Sequence, residues 1–315
     1  MSLLCPKKRW TKDGRRLTFG LVALWCVELA GPVGPADPER QPCCTQGRET
    51  PMIKKLTLMT LPLVLMTGAA FAQTAAVQVI HNSPDPLAET VDVYIDDEIA
   101  VPDFAFLAAT PVLDLPAGEE LVIGIAPGNS AGPEDILATF PVTLADGEGY
   151  VVMATGVLDD SLPGNPDGID TGFTLEIFTP LTTTAMTGEC ELLVYHGAPN
   201  APTVDVQVQG GDILVDDAAF RQFAGYLTAP AVDLVVEVTL ANDNDAVVQA
   251  YEAPLSALDG AGAVVFAAGF LGSKDGHLPE FGLYAALADG TVLPLNEASV
   301  ATESIDWSGV KALFE

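Results

Sequence analysis

Three histidines and several acidic loops carry the chemistry that this sequence offers. His81 and His196 each end an apolar segment and are followed by a proline turn, while His277 stands apart from both. Imidazole titrates near neutral pH and ligates metals, but a metal site needs three or four groups that converge. The spacing predicts no such set. We therefore expect His81 and His196 to hold their turns through side-chain hydrogen bonds.

Two acidic loops are the stronger candidates for a ligand site. Ca²⁺ takes about six to eight oxygen ligands and tolerates irregular geometry. We predict calcium ligands at Asp159, Asp160, Asn165, Asp167 and Asp170 in the first loop, and at Asn242, Asp243 and Asp245 in the second. Because Asn, Asp and Gly also form ordinary turns, and clusters of Asp arise by chance in a chain this acidic, a solvated turn is favoured over a calcium site at both places. No other cofactor is predicted.

The sequence favours no catalytic site. Ser83 and Ser130 lie in no G-x-S-x-G turn, and no Gly-rich loop follows a strand and opens a helix. The 38 acidic residues after position 72 offer many carboxylate pairs, so glycosidase-type chemistry stays open. We predict a non-catalytic protein, and the alternative is an extracellular hydrolase that uses carboxylates and one histidine.

Each of the first two histidines belongs to a segment that occurs twice. Residues 79–85 and 91–95 return as residues 194–200 and 204–208, at offsets of 113 to 115 positions. Residues 151–156 also match residues 264–269. Since the matches extend along a length typical of one domain, they predict two tandem domains that arose by duplication.

The elements expected to position these residues are β-strands. In the first unit, apolar and alternating runs predict strands at 76–81, 91–95, 121–125, 136–142, 150–157 and 173–178. No segment there keeps a helical period. Asp92 and Asp205 alternate with valine in V-D-V and are predicted to face solvent. We predict an all-β protein of two tandem antiparallel β-sandwiches, Ig-like or transthyretin-like, each of about seven strands.

The flanking segments indicate export from the cell. Residues 52–72 combine a basic start, an apolar run and Ala-Phe-Ala, which is typical of a secretory signal peptide cleaved after Ala72. The run is too short to span a bilayer, so no membrane span is expected after cleavage. We expect a secreted, periplasmic or cell-surface protein. We predict that residues 1–51 are an extension upstream of the true first residue, Met52. The predicted segments after the signal peptide are a first sandwich at 74–179, a linker at 180–188, a second sandwich at 189–295 and a tail at 296–315.

The charge distribution limits the partners. The chain has a formal net charge of −30, and only three of its 13 Lys and Arg residues follow position 72. Residues 73–315 therefore carry a formal charge near −35. Such a surface repels phosphate backbones and anionic lipid heads, so binding to nucleic acid or to a membrane surface is disfavoured. It indicates adaptation to salt or uptake of divalent cations. Exposed sheet edges covered in Asp and Glu also disfavour edge-to-edge assembly at low salt, so we expect a monomer that binds an extracellular protein or glycan.

Cysteine usage is consistent with a fold that has no disulfide. Cys190 is the only cysteine after position 72, so the folded part forms no intrachain disulfide. Its neighbours in an apolar run predict a half-buried strand residue.

The repeated motifs resemble the DUF4397 family. The resemblance rests on the H-x-[SA]-P-[DN] turn before V-D-V, the Pro-Ala-Gly turn at 116–118 and the V-V-x-A-x-G strand, and it covers residues 75–295 as two copies. The second copy departs from it at 230–232, which lacks the glycine, and at Asn200, which stands where the first copy has Asp85. The resemblance implies a secreted bacterial β-sandwich, often in tandem, and implies no reaction.

Overall fold

The computed structural model describes residues 73–273 and 276–298, which lie in one compact unit of residues 67–315. The predicted upstream extension, the signal peptide and residues 299–315 of the predicted tail lie outside the described residues. The described residues form 18 strands, three short 3-10 segments (Pro86–Ala88, Pro133–Asp135 and Leu255–Leu258) and no α-helix. The prediction of an all-β fold is confirmed.

The first repeat contributes eight strands to two four-stranded sheets. The strands are β1 (Thr74–Asn82), β2 (Thr90–Ile95), β3 (Glu98–Ala105), β4 (Leu113–Pro116), β5 (Glu120–Pro127), β6 (Ala138–Thr143), β7 (Gly149–Thr155) and β8 (Thr174–Phe178). The six strands predicted from the sequence are all present. The prediction missed β3, which contains Pro102, and the short strand β4.

The second repeat contributes ten strands to two five-stranded sheets. They are β9 (Glu189–His196), β10 (Val204–Val208), β11 (Ile213–Ala218), β12 (Gln222–Pro230), β13 (Leu234–Leu240), β14 (Asp243–Ala253), β15 (Gly262–Ala268), β16 (Gly282–Leu287), β17 (Val292–Pro294) and β18 (Glu297–Ala298). Strand β18 lies in the segment that was predicted as a tail.

The two repeats have the same topology. The first has sheets of order β4-β1-β7-β8 and β3-β2-β5-β6, and the second has sheets of order β12-β9-β15-β16-β17 and β11-β10-β13-β14-β18. Strands β1 to β8 thus correspond in order to β9 to β16, and β17 and β18 are additional edge strands. The sequence repeat is a repeat of a whole sandwich.

The sandwiches differ from the prediction in containing parallel pairs. Strand β1 pairs with β7, and β9 pairs with β15, in parallel, while the other strand pairs are antiparallel. A parallel pair requires a long crossover connection, which is usually a helix. Here the connection between the two parallel strands consists of the intervening strands, most of which form the opposite sheet. A run of strands without a helix therefore gave no sign of a parallel pair.

The two sandwiches pack against each other through the sheets that contain β1 and β9. A shared apolar cluster lies between these sheets, and we call it the interface core. It includes Ile80, Val151 and Met153 from the first repeat and Leu193, Tyr195 and Phe266 from the second. Within residues 73–273 and 276–298 there are therefore four sheets, with an apolar core inside each sandwich and a further apolar layer between the two sandwiches.

The segment predicted as a linker is bound to the folded body. The Thr182 N–H donates to the Tyr226 hydroxyl at 2.7 Å, and the Gly262 N–H donates to the Thr183 carbonyl at 2.9 Å. The Leu181 N–H donates to the Gly149 carbonyl of the first repeat at 2.9 Å. Residues 180–188 thus join the two sandwiches along their packed sheets.

Candidate functional site

The two repeated histidines have the structural role that the sequence predicts. His81 is fully buried, its Nε2 lies 2.7 Å from the Ala88 carbonyl, and its Nδ1 accepts the Ser83 N–H. His196 makes the equivalent contacts, with Nε2 3.1 Å from the Pro202 carbonyl. These partners assign the proton to Nε2 in both rings. Burial lowers the pKa of His81 and that of His196 to about 4, so both are neutral at pH 7.

The residue after each proline braces a neighbouring loop. Asp85 accepts the N–H groups of Leu158 and Asp159 at 2.6 and 2.8 Å. Asn200, its counterpart, accepts the Leu271 N–H at 2.8 Å and donates to the Leu271 carbonyl at 2.9 Å. The exchange of Asp for Asn therefore keeps the brace, and the shared function of these turns is structural.

The glycine that ends V-V-x-A-x-G is required by a close approach of the chain. Gly156 and Gly269 have φ of +87° and +80°, a conformation that side chains disfavour. A Cβ at Gly269 would also collide with the Glu280 carbonyl. Both glycines let the chain that returns after the following loop pack against the ends of β7 and β15.

The V-D-V aspartates are buried, and their predicted exposure to solvent was wrong. Asp92 and Asp205 are 3% and 1% exposed. Each accepts a backbone N–H from a bulge in the adjacent edge strand, from Asp103 at 2.8 Å and from Asp217 at 2.7 Å. Asp103 and Asp217 have φ of +50° and +54°. Strand alternation misled the prediction because it does not reveal a bulge whose N–H groups need an acceptor.

Asp92 also binds Ser130, whose N–H and hydroxyl both donate to its second carboxylate oxygen. Burial alone would raise the pKa of Asp92, but the hydrogen bonds from Ser130 and Asp103 lower it below its usual value. Ser130 is thereby engaged as a structural donor. Ser83 is engaged too, since its hydroxyl donates to the Gly156 carbonyl at 2.6 Å.

One cluster of three carboxylates occurs within residues 73–273 and 276–298. The carboxylate oxygens of Asp205, Asp216 and Asp217 lie within 4.8 Å of one another, and Asp216 and Asp217 are exposed. Asp205 already accepts the Asp217 N–H. The sequence gives no sign of this cluster, because strand alternation predicts a solvent-facing Asp205 and does not reveal the β11 bulge beside it.

The first predicted calcium loop contacts the second repeat. Asn165 donates through Nδ2 to the carbonyls of Pro199 and Ala201 at 3.1 and 2.9 Å. Asp167 accepts the N–H and the hydroxyl of Thr203 at 2.7 and 2.8 Å. These side chains hold the first repeat to the histidine turn of the second.

The other members of the predicted calcium sites lie in turns and have mainly local contacts. Hydrogen bonds from the Ser161 hydroxyl and from the Ser161 N–H, the latter at 2.8 Å, lower the pKa of Asp159, and Asp160 is exposed. In the second loop, Asp243 accepts the Asp245 N–H at 3.2 Å, and Asn242 is exposed in the turn between β13 and β14. Among the described residues, neither loop brings three carboxylates within 4.8 Å of one another.

Arg221 is the single Lys or Arg in the described part of the chain, and it joins the two repeats. Its Nε and Nη2 donate to one oxygen of Glu176 at 2.8 and 2.6 Å, and Nη1 lies 3.5 Å from the Asp170 carboxylate. Asp170, predicted as a calcium ligand, therefore belongs to this ion-pair group. Its partner Arg221 stands where the first repeat has Leu107, also with positive φ.

Cys190 is buried more deeply than predicted. It is 0% exposed rather than half-buried, and burial raises the pKa of its thiol. The thiol lies 3.5 Å from the Ala229 carbonyl, to which it donates. Cys190 is thus a small core residue with little access to reagents.

An apolar cavity of about 290 Å³ lies inside the second sandwich. Its walls are mainly aliphatic side chains from both sheets, including Leu192, Val206, Val236 and Leu283, and they contain no Asp, Glu, Lys or Arg. Such apolar walls offer few hydrogen bonds to water.

One family model matches part of the first repeat. Residues 75–165 match the model of a domain of unknown function, DUF4397. The match covers less than a third of the chain and stops before the second repeat. No curated protein matches the chain.

A solved structure with 11% sequence identity was also found, titled "Alpha-glucan binding by a streptococcal virulence factor". The alignment covers 61% of this chain and 92% of that chain, with a TM-score of 0.20. At that TM-score the match supports no inference about this protein.

The described residues include no helix of the length and apolarity needed to cross a membrane.

Proposed function

We propose that the protein is a non-catalytic extracellular module in which two β-sandwiches form one rigid body, with a structural role or with a carbohydrate or protein ligand. The observation that supports this most is the environment of His81 and His196. A general base needs a nitrogen that reaches the substrate. Both rings are buried, and both nitrogens of each ring contact the backbone of their own turn.

The second repeat is, in this proposal, another DUF4397 domain. It has the same strand order as the first, the same histidine contacts and the same aspartate brace at the edge-strand bulge. The proposed location outside the cell depends on the signal-peptide pattern at 52–72, which lies outside the described residues.

Binding without turnover is the outcome we expect with polysaccharides. The purified protein would be run in native gels that contain a soluble polysaccharide, one polysaccharide at a time, and the same mixtures would be assayed for new reducing ends. We expect retardation without reducing ends for a carbohydrate ligand. Reducing ends formed by the native protein and not by heat-denatured protein would overturn the proposal in favour of a hydrolase. No retardation by any polysaccharide would leave a protein ligand or a structural role.

A further inference from the structure

The cavity in the second sandwich exists where the two repeats differ in core volume. Val91 pairs with Phe104 across β2 and β3, and Val204 pairs with Ala218 at the same place across β10 and β11. Phe104 is buried in the first core, where its ring lies 5.8 Å from that of His81. Ala218 is buried too, but it lines the cavity.

Two further positions show the same change. Leu115 in β4 occupies the register position of Ala229 in β12, because they pair with the corresponding residues Ala75 and Cys190. Val142 in β6 occupies the same register position as Ala253 in β14. Val142 pairs with Leu121, and Ala253 pairs with Leu234, which is the residue that corresponds to Leu121. Ala229 and Ala253 both line the cavity. At three matched positions the second repeat therefore has alanine where the first has a larger apolar side chain.

The walls determine which molecule fits. The lining has no charged side chain, and His196, which also contributes to it, is neutral at pH 7. An engineered apolar cavity of about 150 Å³ stays dry and binds benzene, so a cavity of this size has room for a longer apolar molecule. Leu293, which is 44% exposed, is among the lining residues, so the cavity is not sealed from solvent.

We propose that the second sandwich binds a neutral molecule with an aliphatic chain between its two sheets. The chain replaces the side-chain atoms that the three alanines lack. A carboxylate head is disfavoured because residues 73–315 carry a formal charge near −35. This cavity could bind a ligand whether or not the protein has an activity elsewhere. A result that overturns the proposed function would therefore leave this proposal standing, and the reverse also holds.

The test uses 1-decanol and decanoate with the purified full chain. A ligand that binds only the folded state raises the melting midpoint, by roughly 5 °C or more at 100 times Kd for a protein of this size. We expect 1-decanol to raise the midpoint and to give a saturable heat in titration calorimetry, and decanoate to do so only at higher concentration. No response to 1-decanol, or an equal response to decanoate, would overturn the proposal.

The decisive variant is Ala218→Phe, which restores the residue of the first repeat. We expect it to fold and to lose the 1-decanol response, whereas Ala105→Phe, which adds the same ring at an exposed position of β3, keeps that response. If Ala218→Phe does not fold, Ala229→Leu and Ala253→Val fill the cavity with fewer atoms and should each weaken binding at least severalfold. An unchanged response in the folded cavity variants would show that the alcohol binds elsewhere and would overturn the proposal.

Discussion

At the scale of single residues, the polar side chains that the sequence offers for chemistry are buried and have structural contacts. His81, His196, Asp92 and Asp205 each bind backbone groups of a turn or a bulge. The histidine contacts could be predicted because the proline turn follows each histidine directly in sequence. The aspartate contacts could not, because their donors lie 11 and 12 positions away in edge strands whose bulges have no sequence signature.

The two histidines predict a loss of stability in mild acid. Their folded pKa of about 4 lies below the ordinary value of 6.5, so the unfolded chain binds more protons between these pH values. Their stabilising contribution is fully present above pH 6.5 and is lost as the pH falls towards 4. It amounts to roughly 3 kcal/mol for each histidine.

Urea unfolding at pH 7.5, 6.5, 5.5 and 4.5 in constant high NaCl measures this effect. His81→Gln should unfold more readily at pH 7.5 but should show a smaller loss of unfolding free energy between pH 6.5 and 4.5 than the wild type. The same pH dependence in both proteins would contradict the assignment of the loss to His81.

At the scale of elements, the central strands of the packed sheets are buried on both faces. In β7, five consecutive residues from Val151 to Thr155 are buried, and in β9 Leu192 and Leu193 are buried on opposite faces. The unbroken apolar runs in the sequences of β7 and β9 are typical of strands that are buried on both faces. They could not identify the partner, because the pairing of two distant sheets depends on geometry that a local pattern does not contain.

The interface core predicts that the two sandwiches unfold together. Separating them would expose apolar surface on both packed sheets, so we expect one calorimetric transition whose measured enthalpy equals the van't Hoff enthalpy. Leu193→Ala, in that core, should lower the unfolding free energy by roughly 2–5 kcal/mol while the single transition is retained.

The matched control is Leu137→Ala, at a leucine that is 72% exposed, and we expect a change within about 0.5 kcal/mol. Two separate transitions in the wild-type protein would show that the sandwiches are independent and that the shared core contributes little.

At the scale of the whole molecule, negative charge dominates the surface. Self-repulsion at this charge opposes the compact state, and salt weakens it as the Debye length falls from about 10 Å at 0.1 M to about 3 Å at 1 M. Composition was sufficient to predict this property. Composition could not predict that the first acidic loop contacts the second repeat, nor that the second sandwich contains a cavity. Both features depend on how the folded strands and loops pack in three dimensions.

Calcium binding at the acidic loops is tested by melting the protein in millimolar CaCl₂ and in a chelator, both at the same high NaCl concentration. If the loops at 159–170 and 242–245 bind Ca²⁺ in the folded state, the midpoint rises with CaCl₂. Asp160→Asn and Asp245→Asn, both at exposed positions, should reduce that rise. A midpoint that responds to NaCl and not to Ca²⁺ would remove these loops as cation sites.

The hollow second core has a consequence for how the two halves tolerate change. At three positions alanine lines the cavity of the second core, where the first core has the larger Phe104, Leu115 and Val142. A larger apolar residue at Ala218, Ala229 or Ala253 therefore has space to occupy, whereas larger side chains already take the corresponding positions of the first core. The second half of the chain should accordingly accept gains of side-chain volume in its core that would cost stability in the first half.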